Sequence, residues 1–278
     1  MSQNPIAHTS EETDAEFYNP SIVRSALNYL RLLFFGNFKT TIVLLYAIIA
    51  LTIWKYIPSA PAFADAATGR TVLTVDSVTL NQPLDGALRF TALQFLWNAR
   101  KIWAAFLIMG VFPALIVKFV FKEKLSDYGL GLPSLRRSVT AFLCLLPVFI
   151  IMGWVNGYTK EFYHVYPYNP LAGASWTCLI LHSALYLLLY YTAWEFMFRG
   201  FVQLGLTQTL GPVPAILIQV VASTMLHYGH PASETFGCIA GGLLWGFLVY
   251  RTKSIWSGWG QHAILGIALD WSLVLNAS

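Results

Sequence analysis

The segment Trp194-Glu195-Phe196-Met197-Phe198-Arg199-Gly200 places a carboxylate and a guanidinium four residues apart inside a strongly apolar stretch. Ionisable groups at membrane depth cost about 2.5–3.5 kcal/mol each on insertion scales. Four-residue spacing puts Glu195 and Arg199 on one face of a helix, where their side chains can pair. The spacing alone is compatible with a structural ion pair and with a functional one.

The composition around this segment is typical of a membrane protein. Of the 278 residues, 56% are hydrophobic and 11% are charged, whereas soluble domains contain about 25% charged residues. This length suits about seven spans of roughly 20 residues with their loops. The predicted fold class is all-α, a polytopic transmembrane helical bundle with about seven spans and an interfacial N-terminal helix. The predicted partner is the lipid bilayer, and a net charge of +4 requires no nucleic acid.

Seven apolar segments, separated by charged or glycine- and proline-rich connectors, are the predicted spans. They cover residues 40–57, 102–121, 139–157, 174–204, 213–228, 235–250 and 255–274. Three regions follow: a polar tail with an interfacial helix (1–38), two spans with a long exported loop (39–124), and a helical core (125–278). Residues 71–75 in the long loop are predicted to form a short strand or hairpin.

Loop charges predict the orientation. The loop between spans two and three is strongly basic, and a second basic pair lies between spans six and seven; these residues are Lys118, Lys122, Lys124, Arg136, Arg137, Arg251 and Lys253. Lys and Arg accumulate in short cytoplasmic loops. We therefore expect a multi-pass protein with a cytoplasmic N-terminus and an exported C-terminus.

Two isolated histidines lie at or inside later apolar segments. His227 ends the fifth predicted span, and His262 lies within the seventh. Asp270 follows His262 by eight residues, near enough to the same helix face to be its neighbour. Gly266 lies between them and leaves that face open. A buried acid and an imidazole on one stripe of one helix raise the expectation of a functional role.

Other ionisable side chains have simpler interpretations. Glu234 is expected to cap the following helix, because acidic residues favour helix N-termini. His182 is placed by helical angle on the side of span four opposite Glu195, and His164 lies in a loop. We expect both histidines to be bystanders.

Small residues in span six predict close helix packing. Gly237, Gly241, Gly242 and Gly246 form two overlapping small-xxx-small patterns, which allow helix backbones to approach each other. This span can therefore bring spans five and seven together.

One carboxylate and two imidazoles are suited to hydrolysis. An apolar pocket disfavours the charged form of a carboxylate, which makes it a better proton acceptor near neutral pH. Glu195 could deprotonate a water molecule while one imidazole positions that water and the other stabilises an oxyanion. Alternatively, His227 and His262 bind a divalent metal that activates the water. The residues leave both alternatives open, so a divalent metal or no cofactor is expected.

The order Glu195-x-x-x-Arg199-Gly200, then His227, then His262-Ala263 resembles the CPBP family of intramembrane proteases, also called the Abi or CAAX prenyl protease 2-like family. The resemblance covers roughly residues 125–274, beginning at Asp127-Tyr128-Gly129-Leu130. Three positions depart from the usual motifs. Trp194 replaces the first acid of Glu-Glu-x-x-x-Arg, Ser223 replaces the Phe of Phe-x-x-x-His, and Gly266 replaces the Asn of His-x-x-x-Asn.

A bacterial branch of the family is similar at these same positions. It carries Trp-Glu-Phe-x-Phe-Arg-Gly, then His-Phe-Gly-Lys-Pro followed by a Glu, then a His with an Asp eight residues later. The corresponding residues here are Trp194 to Gly200, His227 to Pro231 with Glu234, and His262 with Asp270. In this chain His230 replaces the Lys.

The resemblance implies a glutamate-dependent intramembrane endopeptidase in a bacterial plasma membrane. Glu195 would be the base, His227 and His262 its partners, and Arg199 would orient Glu195 or the loops. Asp270 and Glu234 would support the site. The implied substrate is a membrane-associated protein or peptide. Trp194 also leaves a non-enzymatic alternative, in which the chain is a membrane scaffold or a bacteriocin immunity protein.

Overall fold

The computed structural model describes residues 20–32, 36–57 and 92–276. Every regular element within these ranges is helical, so the predicted all-α fold class is confirmed. The strand or hairpin predicted at residues 71–75 lies outside the described residues. The chain divides into two compact units, Met1–Ile42 and Val43–Ser278.

The first unit contains helix α1, Pro20–Arg31, within the region predicted to hold an interfacial helix. Ile22, Leu27 and Leu30 are exposed along it and share the helix with Arg24 and Arg31. Such a mixture is typical of helices that lie in a membrane surface. Its location there stays a prediction.

The other helices carry the apolar segments of the sequence. Their bounds are α2 Phe38–Tyr56, α3 Ala92–Asn98, α4 Arg100–Val120, α5 Leu135–Asn156, α6 Trp176–Leu210, α7 Pro212–Leu226, α8 Ala232–Thr252 and α9 Trp256–Asn276. Short 3₁₀ turns occupy the connectors at Leu125–Tyr128, Lys160–His164 and Pro170–Ala174. Each predicted span corresponds to one helix, α2 or one of α4 to α9.

Five of these helices, α2, α4, α5, α6 and α8, are long and apolar enough to cross a membrane. Helix α7 has 15 residues, which is short for a span. Helix α9 has 21 residues but is not among the five. The protein is therefore a helical membrane protein with five candidate spans, and the count of seven stays a prediction.

Helices α6 and α7 form a hairpin that fixes the depth of the site. Span four was predicted to end at residue 204, which would leave Glu195 near one membrane face and His227 near the other. The helix instead continues to Leu210, and Gly211, with a φ of +80°, makes the turn. Glu195 precedes Gly211 by sixteen residues and His227 follows it by sixteen. The two residues therefore lie at similar depth, and the predicted boundary was wrong.

Helix α8 packs closely on this hairpin through two of the predicted glycines. A Cβ at Gly242 would lie 3.0 Å from Val220 Cγ2, and one at Gly246 would lie 2.9 Å from Gln219 Nε2. Gln219 and Gln203 use this proximity to donate to the carbonyls of Gly242 and Gly246, at 2.9 and 2.8 Å. The predicted close packing is confirmed at these two positions.

Helix α9 is fixed against α5. A Cβ at Gly153 would lie 2.2 Å from the Leu265 carbonyl oxygen, so the backbones approach too closely for any side chain there. Gln261 Nε2 donates to the Ala141 carbonyl at 2.7 Å, and Ser272 Oγ donates to the Trp154 carbonyl at 2.7 Å. These contacts set the rotation of α9, and its remaining face carries His262 and Asp270 towards α6.

Candidate active site

Glu195 is fully buried and contacts two of the three cationic or potentially cationic groups predicted around it. Arg199 Nη1 donates to Glu195 Oε1 at 3.1 Å. His262 Nδ1 lies 2.7 Å from the same oxygen. The first contact joins neighbouring turns of α6, and the second joins α6 to α9. The structure thus brings together three of the predicted site residues.

The local helix geometry at Glu195 is irregular. A single α-helical turn, Thr192–Glu195, separates two π-helical segments, Tyr186–Tyr191 and Phe196–Leu204. π-Helical turns inside α-helices occur frequently at functional sites. Here the wider turns rotate successive side chains relative to a regular α-helix. This arrangement presents Tyr190, Tyr191, Trp194 and Glu195 towards the second unit's interior, where all four are buried.

The carboxylate is only partly satisfied. Glu195 Oε2 and Arg199 Nε are buried and have no hydrogen-bond partner among the described residues. Buried polar atoms without partners are rare in folded proteins and each requires an explanation. The Arg199 guanidinium lies 5.4 Å from the centre of the Trp245 ring, which stabilises its charge by a cation–π contact. The site therefore has unused acceptor capacity on Glu195.

His262 connects the carboxylate to a cavity. Its ring stacks on Trp245 at 4.3 Å between centroids and meets the edge of Tyr191 at 4.8 Å. Trp245 is in turn held by a 2.9 Å hydrogen bond from its Nε1 to Gln261 Oε1. Because Nδ1 faces Glu195, the second ring nitrogen, Nε2, remains for other contacts. His262 is thus a fixed imidazole with one edge on the buried acid.

The cavity has a volume of about 320 Å³ and lies among α5, α6, α8 and α9. His227, His262, Glu234 and Tyr166 are among the polar residues that line it, and most of the remaining lining is apolar. Glu195 and Arg199 are not among the residues that line the cavity. Glu195 contacts the lining residue His262, and Arg199 packs on the lining residue Trp245. A molecule in the cavity would therefore meet the imidazole before the carboxylate.

His227 lies at the end of α7 and also lines the cavity. Its Nδ1 is 2.8 Å from the Ser223 carbonyl oxygen, and its Nε2 is 3.6 Å from Glu234 Oε1. Lys55 fixes this helix end by donating from Nζ to the carbonyls of Leu226 and Tyr228, both at 2.7 Å. A cation at a helix C-terminus is electrostatically favourable. His227 is therefore held firmly, although it does not contact Glu195 directly in any hydrogen bond of the described residues.

Trp194 separates the two histidines. Its ring centroid is 5.7 Å from His227 and 6.3 Å from His262, and both contacts are edge-on. The side chain is almost fully buried and also packs on Trp54 and Phe198. An aromatic wall thus occupies the position where the usual family motif has its first acid.

Asp270 contacts a different histidine from the one expected. Its Oδ2 lies 2.9 Å from His182 Nε2, and both side chains are at most 1% exposed. Helix α9 runs antiparallel to α6, so His182, which precedes Glu195 in α6, meets a residue that follows His262 in α9. The supporting role of Asp270 in the site and the absence of a catalytic role for His182 stay predictions.

Glu234 lies in the first turn of α8, as expected for an acidic residue at a helix N-terminus. Its side chain also has partners that the sequence did not predict. Tyr166 Oη donates to its Oε1 at 2.5 Å, and His230 Nδ1 lies 3.1 Å from its Oε2. Burial raises the pKa of Tyr166 well above its usual value, and the Glu234 charge adds to the shift. Tyr166 is therefore a neutral donor that holds the Glu234 carboxylate in place.

A group of residues that could hold a metal ion shares His227 with the predicted pair. Side-chain donor atoms of His227, His230 and Glu234 all lie within 4.8 Å of one another. His262, the second predicted ligand, is not part of this group and instead contacts Glu195. His230 lies in a turn between Gly229 and Pro231. That turn is what brings its ring back to within 5.2 Å of the His227 ring.

Gly266 leaves space for the hydroxyl group of Tyr191. A Cβ at this position would lie 1.7 Å from Tyr191 Oη, so the tyrosine hydroxyl occupies the space one turn after His262. Tyr191 lines the cavity. Sequence reasoning missed Tyr191, Tyr166 and Lys55. Their roles depend on contacts between distant segments, and only the unusual cluster of tyrosines in α6 was visible in the sequence.

The comparisons with known proteins identify one similarity. Residues 174–268 match the family described as "Type II CAAX prenyl endopeptidase Rce1-like". No curated protein matches the chain. No solved structure matches it either. The match contains Glu195, Arg199, His227 and His262, and it confirms the predicted resemblance to the CPBP proteases over this segment.

Proposed function

We propose that the protein is an intramembrane endopeptidase that hydrolyses a peptide bond of a membrane-associated protein or peptide. The observation that carries the proposal is the 2.7 Å contact between Glu195 Oε1 and His262 Nδ1, made by a carboxylate in α6 and an imidazole that lines the cavity. The similarity of residues 174–268 to a family of endopeptidases supports the same reaction class.

His262 is the proposed proton acceptor, and Glu195 makes it a stronger one. With Nδ1–H donated to the carboxylate, Nε2 takes a proton from a water molecule as the water oxygen attacks the peptide carbonyl. The buried carboxylate stabilises the imidazolium that forms. His262 then returns the proton to the leaving amine as the C–N bond breaks. Glu195 is thus part of the base, and its access to the substrate passes through His262.

Other cavity residues have distinct proposed roles. His227 donates Nδ1–H to Ser223, so its Nε2 carries a lone pair that can accept a hydrogen bond from the attacking water. The Tyr191 hydroxyl, adjacent to His262 across Gly266, is a donor for the developing oxyanion. Arg199 holds Glu195 in position through the hydrogen bond at 3.1 Å. It is therefore a positioning residue.

The apolar cavity wall favours substrates with a lipid-like or strongly apolar segment. The family description names prenylated CAAX substrates, and a prenyl group is one chemistry that this wall would accept. We extend the proposal to a bacterial plasma membrane with a cytoplasmic N-terminus, as the loop charges predict. Supporting evidence for the alternative, a non-enzymatic scaffold or immunity protein, is the presence of Trp194 in place of an acid.

The test compares new peptide termini in membranes that contain the wild-type protein, Glu195→Gln or His262→Gln. The membranes are incubated as vesicles without detergent. Newly formed peptide termini are then labelled and identified by mass spectrometry. A farnesylated CAAX peptide and its unmodified counterpart are included as defined probes. We expect termini at membrane-proximal bonds that depend on both residues. Identical terminus profiles for all three proteins would contradict the proposal and favour the non-enzymatic alternative.

A further inference from the structure

We propose that His227, His230 and Glu234 bind one divalent cation at the cavity wall, and that zinc fits the site best. Two imidazoles and one carboxylate are a ligand set that zinc uses in catalytic sites, with the remaining position left for water. The inference goes beyond the proposed proteolysis and does not rest on it. Direct binding measurements test it whether or not the chain cleaves peptides.

The distances between the ligand atoms agree with one small ion. His227 Nε2 lies 3.6 Å from Glu234 Oε1, and His230 Nδ1 lies 3.1 Å from Glu234 Oε2. Tetrahedral zinc with bonds of about 2.0–2.2 Å separates its ligand atoms by about 3.3 Å. These two separations, each to a different Glu234 oxygen, bracket that value, and donor atoms of all three residues lie within 4.8 Å of one another. Rotation of the side chains would bring both nitrogens and a carboxylate oxygen onto one ion.

The contacts of His227 leave its Nε2 as the atom that could bind a cation. Its Nδ1 lies 2.8 Å from a backbone carbonyl, which can only accept, so Nδ1 carries a proton. In the neutral imidazole the Nε2 lone pair faces the Glu234 carboxylate at 3.6 Å. Two electron-rich atoms that face each other are stabilised by a positive ion between them. Metal-binding histidines characteristically donate their other N–H to a carbonyl in this way.

The surrounding contacts hold the three ligands in place. Tyr166 Oη donates to Glu234 Oε1 at 2.5 Å, as an outer partner of a metal-binding carboxylate would. His230 N donates to the His227 carbonyl at 3.0 Å, and Gly229, with a φ of +91°, allows that turn. Thr235 Oγ1 also donates to the His227 carbonyl, at 3.0 Å. The geometry is therefore set by the fold and does not depend on the ion.

The position of the group gives an ion access to solvent and to substrate. His227 and Glu234 line the cavity, and the three ligand residues are partly exposed or at its wall. A water molecule on the ion would face the space that also borders His262. Such a water is more acidic than bulk water, because zinc lowers its pKa. With the ion bound, the His227 Nε2 lone pair is held by the metal, so the ion would take over from His227 the positioning of water beside the Glu195–His262 pair.

The experiment measures zinc directly. The detergent-solubilised full-length protein is stripped with a chelator, titrated with Zn²⁺ by calorimetry, and analysed for retained zinc after dialysis. We expect one equivalent per chain. His230→Ala and Glu234→Gln should each weaken binding by at least about 100-fold, and Tyr166→Phe by about 10- to 100-fold. His164→Ala removes an exposed histidine outside the group and is the matched control.

Two further variants distinguish the possible results. His262→Ala should keep its zinc, and loss of zinc there would favour the pair His227 and His262 over the proposed group. Glu195→Gln should also bind zinc normally, so that a failure of proteolysis and a failure of metal binding are seen separately. Thermal unfolding without metal verifies that each variant is folded. Absence of binding by the wild-type protein, or unchanged affinity in folded His230→Ala and Glu234→Gln, would overturn the proposal.

Discussion

Two histidine–carboxylate pairs join α6 to α9, and they differ in their surroundings. His262 and Glu195 meet at 2.7 Å, and His182 and Asp270 meet at 2.9 Å. The first imidazole lines the cavity and is 15% exposed, whereas the second is completely buried. The carboxylate of the first pair also binds Arg199. The same chemical unit thus occurs once beside a substrate-sized space and once inside the packed interior.

The two pairs have the same chemistry and differ in their access to the cavity. That access distinguishes the candidate catalytic pair from the structural one. Both pairs would tie the two helices together and set their register. Only His262 has a neighbouring cavity from which a proton could come. The buried pair is enclosed by Tyr186, whose ring stacks on His182 at 5.2 Å. The same substitution made in each pair therefore tests whether the cavity-side pair alone takes part in catalysis.

The largest expected difference is in catalysis. Glu195→Gln keeps a hydrogen-bond acceptor for Arg199 but removes the charge that stabilises the His262 imidazolium. We expect the cleavage rate to fall by about 10²- to 10⁴-fold, the usual contribution of general acid–base groups. The matched change Asp270→Asn should leave the rate per folded molecule within about threefold. Rates on the same membrane substrate, normalised to folded protein, measure both.

Similar losses in the two variants would contradict this distinction. In that case the buried pair would be as important to the reaction as the pair beside the cavity. Circular dichroism and monodispersity in detergent establish that both variants are folded before their rates are compared.

The next effect is on stability and concerns the buried pair. Asp270→Ala leaves His182 without its partner in a fully buried position. Leaving a buried hydrogen-bonding group without its partner costs about 1–3 kcal/mol, and more where the group is charged. Replacement of both residues by leucine should recover much of that loss, because no polar group is then left unsatisfied. Chemical unfolding in mixed micelles measures the free energies, and a double variant less stable than Asp270→Ala would contradict this explanation.

A smaller change tests the tyrosines between the pairs. Tyr191 contacts His262, and Tyr186 contacts both Tyr191 and His182, at ring separations of 4.7 to 5.2 Å. Gly266→Ala would place a methyl group on the Tyr191 hydroxyl. We expect a loss of about 1–3 kcal/mol from overpacking and a lower cleavage rate as Tyr191 moves. Tyr191→Phe in the same background should restore stability but not activity.

The smallest predicted effect concerns Trp194, which contacts only the cavity-side pair. Trp194→Phe keeps an aromatic ring between His227 and His262 and should cost about 1 kcal/mol of stability. Its cleavage rate should stay within about threefold of the wild type. Trp194→Glu restores the usual first acid of the family motif but buries a new charge near Trp54. A large gain in rate for that variant would indicate that the aromatic wall restricts the activity of this chain.

Much of the fold could be predicted from the long apolar segments of the sequence. Long apolar segments can form only helices in a membrane, because every backbone polar group must be satisfied internally. The contact between Glu195 and Arg199 also followed from their spacing, since residues four apart share a helix face. These predictions needed no knowledge of how the helices pack. The length of α6 was underestimated because its polar last turn, Thr207-Gln208-Thr209, resembles a loop.

The partners of Asp270 and Glu234 could not be predicted from the sequence. Asp270 lies two turns from His262, so proximity along one helix suggested a contact. The actual partner, His182, is 88 residues away and is selected by the antiparallel register of α6 and α9. That register depends on backbone contacts such as Gly153 against Leu265. The contact of the His230 ring with Glu234 was not predicted either, because it depends on the left-handed turn at Gly229.

The hairpin at Gly211 has a consequence for where a substrate is cut. Sixteen residues of helix on each arm correspond to about 24 Å, and the hydrocarbon core is about 30 Å thick. If the turn lies at one lipid headgroup layer, the reacting groups lie just beneath the opposite one. A helical substrate would then need to unwind only its outermost turn to expose a bond. In the proposed endopeptidase, the length of the hairpin arms would thus favour the cleavage of juxtamembrane bonds.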